Sequence, residues 1–500
     1  MDLFSNLALG ASVAFTLQNL SYAFLGCLFG TLVGVLPGLG PVSTIAMLIP
    51  LTYHLPPASG LIMIAGIYYG AQYGGSTTAI LLNVPGETSS IITCLDGHQM
   101  ARKGRGGAAL VVAAIASFFA GTFATLLLAL VAFPLAYVGA SFGSPEYFAL
   151  MVLGLLGAVV LAQGSPLKAL AMVALGVLLG LVGMDVDTAV WRFTFGFNNL
   201  ADGLDFVPVA VGLFGIADVI WQLSRTGGKV GQVSEIGRWL PTRDELRRSV
   251  PAVWRGTVVG SFLGILPGGG AGLAAFASYI VEKKLSRDPS RFGMGAVEGV
   301  AGPESANNAA AQTNFIPMLT LGIPGNAIMA MMMGALTIHG IQPGPEVLTR
   351  NSSIFWGLLV SMWIGNVMLL VINLPLIRLW ISLLQIRYSV IYVGILAFSV
   401  IGVYTVNNNV FDVYLTMLFG VIGAVLLRLR FEPAPLLLGF VLGRLLETNF
   451  RRAMLQSGGD PMIFLERPVS LFFLIVALGL FLLLVLPAFR GKREIMFQEP

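Results

Sequence analysis

Stretches of about 20 mainly apolar residues, the length that spans a bilayer as a helix, recur along this chain. They fall roughly at 17–36, 57–82, 107–137, 146–163, 166–183, 204–222, 251–266, 295–321, 352–377, 388–405, 410–428 and 469–489, about twelve in all, give or take two. In lipid, backbone polar groups must be satisfied within the protein, so such segments are helices or closed barrels. The strand alternation of a barrel is absent from the sequence. The expected fold is an all-α polytopic membrane protein embedded in a lipid bilayer. Charge agrees: 28 Lys+Arg and 24 Asp+Glu among 500 residues cannot coat a soluble globule. A hydrophobic fraction of 56% excludes a disordered chain. Cys27 and Cys94 are too few for a disulfide scaffold. A net charge of +4 is too thin for nucleic acid.

Lys and Arg set orientation. The longest polar stretch, Ser224 to Arg255, carries seven basic residues, and the tail carries Arg490, Lys492 and Arg493. Both are expected in the cytoplasm. The acidic loop with Asp185, Asp187, Asp202 and Asp205 is expected outside. The segment Arg444–Arg467, with Arg451 and Arg452, conflicts with this scheme, because a single last helix after it places it outside too. The N-terminus has no basic n-region and no A-x-A cleavage pattern, so the first apolar stretch reads as a retained helix.

The chain repeats itself. Residues 30–40, GTLVGVLPGLG, match 260–270, GSFLGILPGGG, at six of eleven positions. LLNVPGE at 81–87 is answered by TLGIPGN at 320–326. Two motifs in the same order, offset by 230 and 239 residues, indicate a duplication. The loops alternate in sign. Loop 53–60 is uncharged, while its counterpart carries Lys283, Lys284, Arg287 and Arg291. After the second motif, Arg102, Lys103 and Arg105 face only Arg350, beside Glu346. Corresponding loops therefore belong on opposite sides, the pattern of inverted-topology repeats with broken helices or re-entrant hairpins. This divides the chain into a first repeat at 1–223, a basic cytoplasmic linker at 224–255 and a second repeat at 256–440. A C-terminal segment at 441–500 holds the last transmembrane helix and tail.

Both L-P-G-x-G motifs break a helix inside apolar sequence. Pro removes a donor and restricts its predecessor, and Gly admits positive φ. The half-helix starts expose N–H groups that attract anions, and the unwound turns expose carbonyls that coordinate Na⁺. Pro37, Gly38 and Gly40, with Ser43 and Thr44 just after them, and Pro267, Gly268, Gly269 and Gly270 are thus candidate substrate- or ion-binding residues. Asn83, Pro85, Gly86, Glu87, Thr88 and Ser89 are the same device with more polar groups, mirrored by Thr320, Gly322, Pro324, Gly325 and Asn326. Between apolar flanks lie Pro303, Glu304, Asn307 and Asn308. Glu304 shares a helix face with both asparagines, and Ser76, Thr77 and Thr78 are their hydroxyl-rich counterpart. Na⁺ is expected near Gly38, Asn83, Gly268 and Gly322. An ionisable side chain at such depth is a functional candidate by default.

Other chemistries find little support. His54, His98 and His339 lack metal-ligand spacing, and the methionines read as packing residues. No G-x-x-x-x-G-K-[ST], G-x-S-x-G or H-E-x-x-H occurs, which argues against ATP hydrolysis and hydrolase chemistry. No catalytic residue and no covalent cofactor is expected.

The motifs GTLVGVLPGLGP, YYGAQYGGSTTAILLNVPGE, DGHQMARKG, GILPGGGA, EGVAGPESANNAA and LTLGIPGNA together resemble the large membrane subunit of the tripartite tricarboxylate transporter family, over about residues 15–490. The resemblance implies a bacterial inner-membrane secondary transporter that imports a carboxylate, citrate being the type case, with Na⁺ or H⁺ as coupling ion. It implies two partners, a small four-helix membrane subunit and a periplasmic solute-binding protein. No Lys or Arg falls inside the motif cores, so the anion would be held by N–H groups, hydroxyls and amides, with a bound cation lending charge. A mobile unit containing both broken hairpins fits an elevator-like motion. The alternative is an uncoupled organic-anion channel on the same repeats.

Overall fold

The computed structural model describes residues 3–36, 40–162, 165–185, 187–225, 236–266, 270–383 and 388–485. Helix α1 is Leu3–Ala14 and α2 is Leu17–Val35, capped by Thr16, whose side chain accepts from the Asn19 N–H. Leu36 leaves the helix at φ −85°, ψ 109°, as a residue before proline must. Helix α3, Pro41–Thr52, starts with proline at its first position, and α4 is Pro57–Leu82. Ser59 Oγ donates to Asn19 Oδ1 at 2.6 Å, and Gly60 sits against the Thr52 carbonyl. Thus α3 runs back beside α2, and the two helices form a hairpin.

After Asn83, a helical run Thr88–His98 includes α5, Ile91–Thr93. There follow α6 (Gly106–Ala140), α7 (Ser144–Leu161), α8 (Pro166–Gly180), α9 (Phe206–Ala210) and α10 (Ala217–Arg225). A two-residue β ladder, Gly183–Met184 with Trp191–Arg192, sits in the loop between α8 and α9.

The second copy repeats the first in local detail. Helix α11 (Arg243–Ile265) stops at Leu266, φ −76°, ψ 130°, again before a proline. It turns into α12 (Ala271–Leu285), and Arg255 on α11 pairs with Glu282 on α12 at 2.5 Å, so these also form a hairpin. Helices α13 (Glu298–Thr313) and α14 (Phe315–Leu321) match α4, and α15 (Ala327–Ile338) matches the restarted run. Gly26, Gly30 and Gly34 let α2 rest on the backbone of Met63, Ile67 and Ala71. Gly256, Gly260 and Gly264, each 230 residues on, do the same for α11 against Gly302, Ala306 and Ala310. A Cβ on Gly30 or Gly260 would lie 2.8 Å from Ile67 Cα or 2.7 Å from Ala306 Cα. Small residues at this spacing permit close approach where lipid gives no hydrophobic drive between helices.

The chain continues with α16 (Pro345–Thr349), α17 (Ser352–Asn373), α18 (Ile377–Leu383), α19 (Tyr388–Asn407), α20 (Val410–Arg428), α21 (Pro433–Gln456), α22 (Ile463–Glu466) and α23 (Pro468–Val485). Where α4 meets α13–α14, and where α6 meets α17, the equivalent helices of the two copies run antiparallel. On α4 and α13–α14, Tyr68 lies near Phe315 (ring centroids 6.4 Å apart) while Ser76 reaches Glu304. On α6 and α17, Trp363 Nε1 donates to the Thr122 carbonyl at 3.2 Å while Phe133 packs on Trp356.

Charge is sided. Lys103 donates to the Met294 carbonyl, Arg105 pairs with Glu245 and the Arg238 N–H donates to the Gly104 carbonyl, so the basic loops of both copies and the described end of the linker, from 236 on, gather at one end. At the other end the Tyr53 ring stacks near His339. Five helical segments among the described residues are long and apolar enough to cross a membrane, namely Leu17–Val35, Ala101–Ala140, Phe206–Ser224, Ser352–Asn373 and Val410–Arg428. Seven shorter apolar helices accompany them.

Three expectations change in detail. The stretch 224–255 is a linker only in part, because Thr242 and Glu245 form a capping box that starts α11 at Arg243. The boundary at 440 falls inside α21, a 24-residue helix missing from the sequence-derived spans. Its Arg451 reaches Asp185 at 2.9 Å, Glu447 at 2.7 Å and Asp187 at 3.3 Å, while Arg192 joins Asp185 and Glu447. The misfit basic segment therefore lies against the acidic loop, which balances its charge, and α21 adds a helix before α23. The backbone N–H of Thr188, then that of Asp187 and the two arginines, hold the Asp185 carboxyl down at about 2.

Candidate functional site

Pro37, Gly38, Pro267, Gly268 and Gly269 lie outside the described residues. Their neighbours Gly40 and Gly270 cap α3 and α12 with nearly the same backbone, φ −83°, ψ 166° and φ −72°, ψ 171°. Neither helix start has a side-chain cap, and a Cβ on either glycine would meet nothing within 4 Å. Each copy thus presents unsatisfied helix N–H groups next to open space, where a negative charge is favoured. Thr44 Oγ1 donates back to the Gly40 carbonyl at 3.0 Å, while Ser43 donates to Asp218 on α10.

The second breaks also match. Asn83 and Gly322 end α4 and α14 in the left-handed region, at φ 58° and 72°. This conformation reverses the chain, and asparagine and glycine are the residues that tolerate it. Four residues on, Glu87 and Asn326 are extended helix caps at φ −152°, ψ 172° and φ −156°, ψ 178°. Glu87 accepts from Ser89, and its N–H bonds Ser90 Oγ at 3.3 Å; Asn326 Oδ1 accepts from the Met329 N–H at 2.9 Å. Gly86 packs on Gly34 and Gly75, and Gly325 sits near Asn314 and the Leu266 carbonyl. Each break therefore lies against the C-terminal end of the first hairpin helix of its own copy, α2 or α11, with Pro85 and Pro324 in the bends.

The copies meet at these breaks. Thr88 faces Gly272, in the first turn of α12. Ser89 Oγ lies 2.9 Å from Gln72 Oε1. The buried Tyr68 hydroxyl lies among the side chains of Gln72, Asn314 and Asn326. The Asn314 amide nevertheless makes no hydrogen bond of normal geometry.

A second polar cluster lies deeper. Glu304 is 0% exposed and accepts from Ser76 at 2.7 Å, from Thr93 and, weakly, from Asn307 at 3.5 Å. Asn308 donates to Ser117 at 2.8 Å. Thr77, Thr78 and Thr320 bond carbonyls of their own helices, and Pro303 lies within α13. The candidates thus resolve into a break cluster and a Glu304 cluster, joined along α4 by Gln72 and Ser76.

Sequence reading missed Tyr68, Thr93 and Ser117, whose chemistry depends on partners from other helices. It also passed over Asp218, although a lone acid in the apolar run 206–224 was a visible signal. Asp96 serves packing: its carboxylate takes the N–H groups of Gly293, Gly295 and Ala296 at 2.7–2.9 Å and the Tyr279 hydroxyl at 3.0 Å. His98 bonds the Ile80 carbonyl at 3.1 Å. No group of three His, Cys, Asp or Glu residues suited to a metal occurs among the described residues.

Many apolar helices, with two copies whose interruptions match, mark a multi-pass membrane protein. The chain belongs to the tripartite tricarboxylate transporter TctA family, which matches residues 20–438. It is 55% identical over 500 residues to an uncharacterized 52.8 kDa protein in the TAR-I ttuC' 3' region of Agrobacterium vitis, covering 100% of this chain and 99% of that relative. An uncharacterized protein in the TAR-II ttuC' 3' region of the same organism is 55% identical over 240 residues, 48% of this chain and 99% of its own length. No solved structure matches the chain. Membership makes it a transporter membrane subunit of a system with further components.

Proposed function

We propose that this chain is the permease of a binding-protein-dependent carboxylate importer of the bacterial inner membrane, driven by Na⁺ or H⁺ symport. A periplasmic binding protein delivers the organic acid, and a small four-helix subunit completes the membrane complex. The observation that carries this reading is the pair of uncapped helix starts at Gly40 and Gly270, each next to open space and supplied by copies whose equivalent helices run antiparallel. The copies are inverted-topology repeats, with the basic end of the molecule and the C-terminus in the cytoplasm. The carboxylate is held by α3 and α12 N–H groups together with amides and hydroxyls of the Asn83–Ser89 and Thr320–Asn326 breaks. Without a lysine or arginine in these motifs, binding stays reversible, as transport requires.

The test is uptake of radiolabelled carboxylates by proteoliposomes holding all three components. Imposed inward Na⁺ or H⁺ gradients are expected to drive accumulation, and collapsing them to stop it. Uptake indifferent to both gradients would leave the uncoupled anion channel in place of the symporter.

A further inference from the structure

We propose that the buried Glu304 cluster is a binding site for a dehydrated Na⁺ ion, separate from the helix breaks; this deepens the symporter reading and rests on it. A small cavity opens beside the carboxylate; Tyr73, Ser76, Thr77, Ser117, Glu304 and Asn373 form its polar side, and apolar side chains of α6, α17 and α18 close the rest. It lies among α4, α6, α13 and α17, so both copies build it.

Three features select the occupant. The first is uncompensated charge. Glu304 is 0% exposed, and its donors Ser76, Thr93 and Asn307 are all neutral. An ionised carboxylate at this depth needs a counter-charge. The second is a pair of unused oxygens. Tyr73 Oη and Asn373 Oδ1 are buried and make no hydrogen bond. The orientation of the Asn373 amide follows from Nδ2, which donates to the Leu369 carbonyl at 2.9 Å and leaves Oδ1 free. Groups like these are costly unless something satisfies them. The third is donor chemistry. The polar side of the lining presents carboxylate, carbonyl and hydroxyl oxygens, with no thiol or imidazole, which suits a hard cation.

A proton on Glu304 would neutralise the charge but satisfy one acceptor at most. A divalent ion would leave excess charge against one carboxylate. Na⁺ balances the charge and draws on several oxygens at once. Ser76 lies one helical turn from Gln72, and Gln72 meets Ser89 beside Glu87. Filling the cavity would therefore fix α4 against α13 next to the first break, a direct route from cation to substrate.

The experiment uses the purified full-length chain in detergent, without substrate or partner subunits, so it does not depend on uptake. Its melting temperature is followed as NaCl replaces choline chloride at constant ionic strength, with KCl as control. A ligand that binds only the folded state raises stability with RT ln(1 + [L]/Kd). The wild type is expected to show a saturable rise in Na⁺ that K⁺ does not reproduce. Tyr73→Phe removes only an unpartnered hydroxyl, so it is expected to melt like wild type in choline and to need at least about tenfold more Na⁺ for the same rise, equivalent to about 1.4 kcal/mol. Glu304→Gln is expected to lose the rise. The proposal is overturned if wild type melts alike in Na⁺ and choline, or if both variants keep the wild-type midpoint. A melting temperature that responds to acidification and to no cation would also overturn it, assigning the cavity to a proton.

Discussion

Replacing Gly40 and Gly270 with valine probes the half-helix starts at small cost to the fold. Both glycines have backbone angles that any L-residue adopts, and a Cβ on either meets open space. The folding penalty is that of exchanging a glycine cap for a poorer one, about 0.5–1 kcal/mol. The functional penalty is larger, because a branched side chain fills the space in front of the free N–H groups. A hydrogen bond to a charged group is worth about 1.5–3 kcal/mol, and at about 1.4 kcal/mol per decade its loss weakens binding roughly 10- to 150-fold. The assay is concentration-dependent carboxylate uptake in proteoliposomes with both partners, alongside melting of the purified variants. Each single variant is expected to raise the half-saturating concentration by tenfold or more while melting within a few degrees of wild type. Gly260→Val is the contrast, because its Cβ would sit 2.7 Å from Ala306 Cα and it is expected to lose folded protein instead. Wild-type half-saturation in both Gly40→Val and Gly270→Val would refute the claim that these N-termini hold the anion.

Gly30→Leu is expected to destabilise the α2–α4 contact by about 1–3 kcal/mol or more, read as a lower melting temperature in detergent; an unchanged value would mean that the two helices are not in backbone contact. In a background where Cys27 and Cys94 are alanine, single cysteines at Arg102 and Lys284 are expected to react with a membrane-impermeant maleimide only from the cytoplasm. Cysteines at His54 and Glu346 are expected to react only from outside, and labelling of all four from one side would remove the inverted topology. The ordinary Asp185 value of 3.8 falls to about 2 in the folded loop. Its stabilising contribution is therefore complete above 3.8 and lost as pH falls toward 2. Pepsin cleavage near the exposed Phe193, Phe195 and Phe197 is expected to rise across that window relative to a denatured control. Asp185→Asn is expected to be cut readily throughout, and a flat profile in the wild type would count against the network.

What the sequence made legible follows the range of the interactions involved. Helix breaks are local, so the two L-P-G-x-G motifs and the N-V-P-G and G-I-P-G runs fall between one helix and the next, although the left-handed turn at Asn83 was not foreseen. Loop charge reports sidedness directly, which is why Arg102–Arg105, Lys283–Arg291 and the described end of the linker gather at one end. Partners across helices leave no local trace. Thr93 and Glu304 stand 211 residues apart, and Ser43 and Asp218 stand 175 apart. Helix α21 escaped for another reason: Arg444, Glu447, Arg451 and Arg452 interrupt its apolar pattern. Arg451 and Glu447 are accommodated by the acidic loop, and burial against α7 and α8 supplies what hydropathy did not.

The Asp96 carboxylate carries an implication for biogenesis. Its backbone partners, Gly293, Gly295 and Ala296, are translated about 200 residues later, on the far side of the duplication. Thr93 likewise waits for Glu304. These contacts therefore form only after the second copy has been made. Neither half is a finished module on its own, and severing the gene between them would ask two nascent chains to find each other before quality control does.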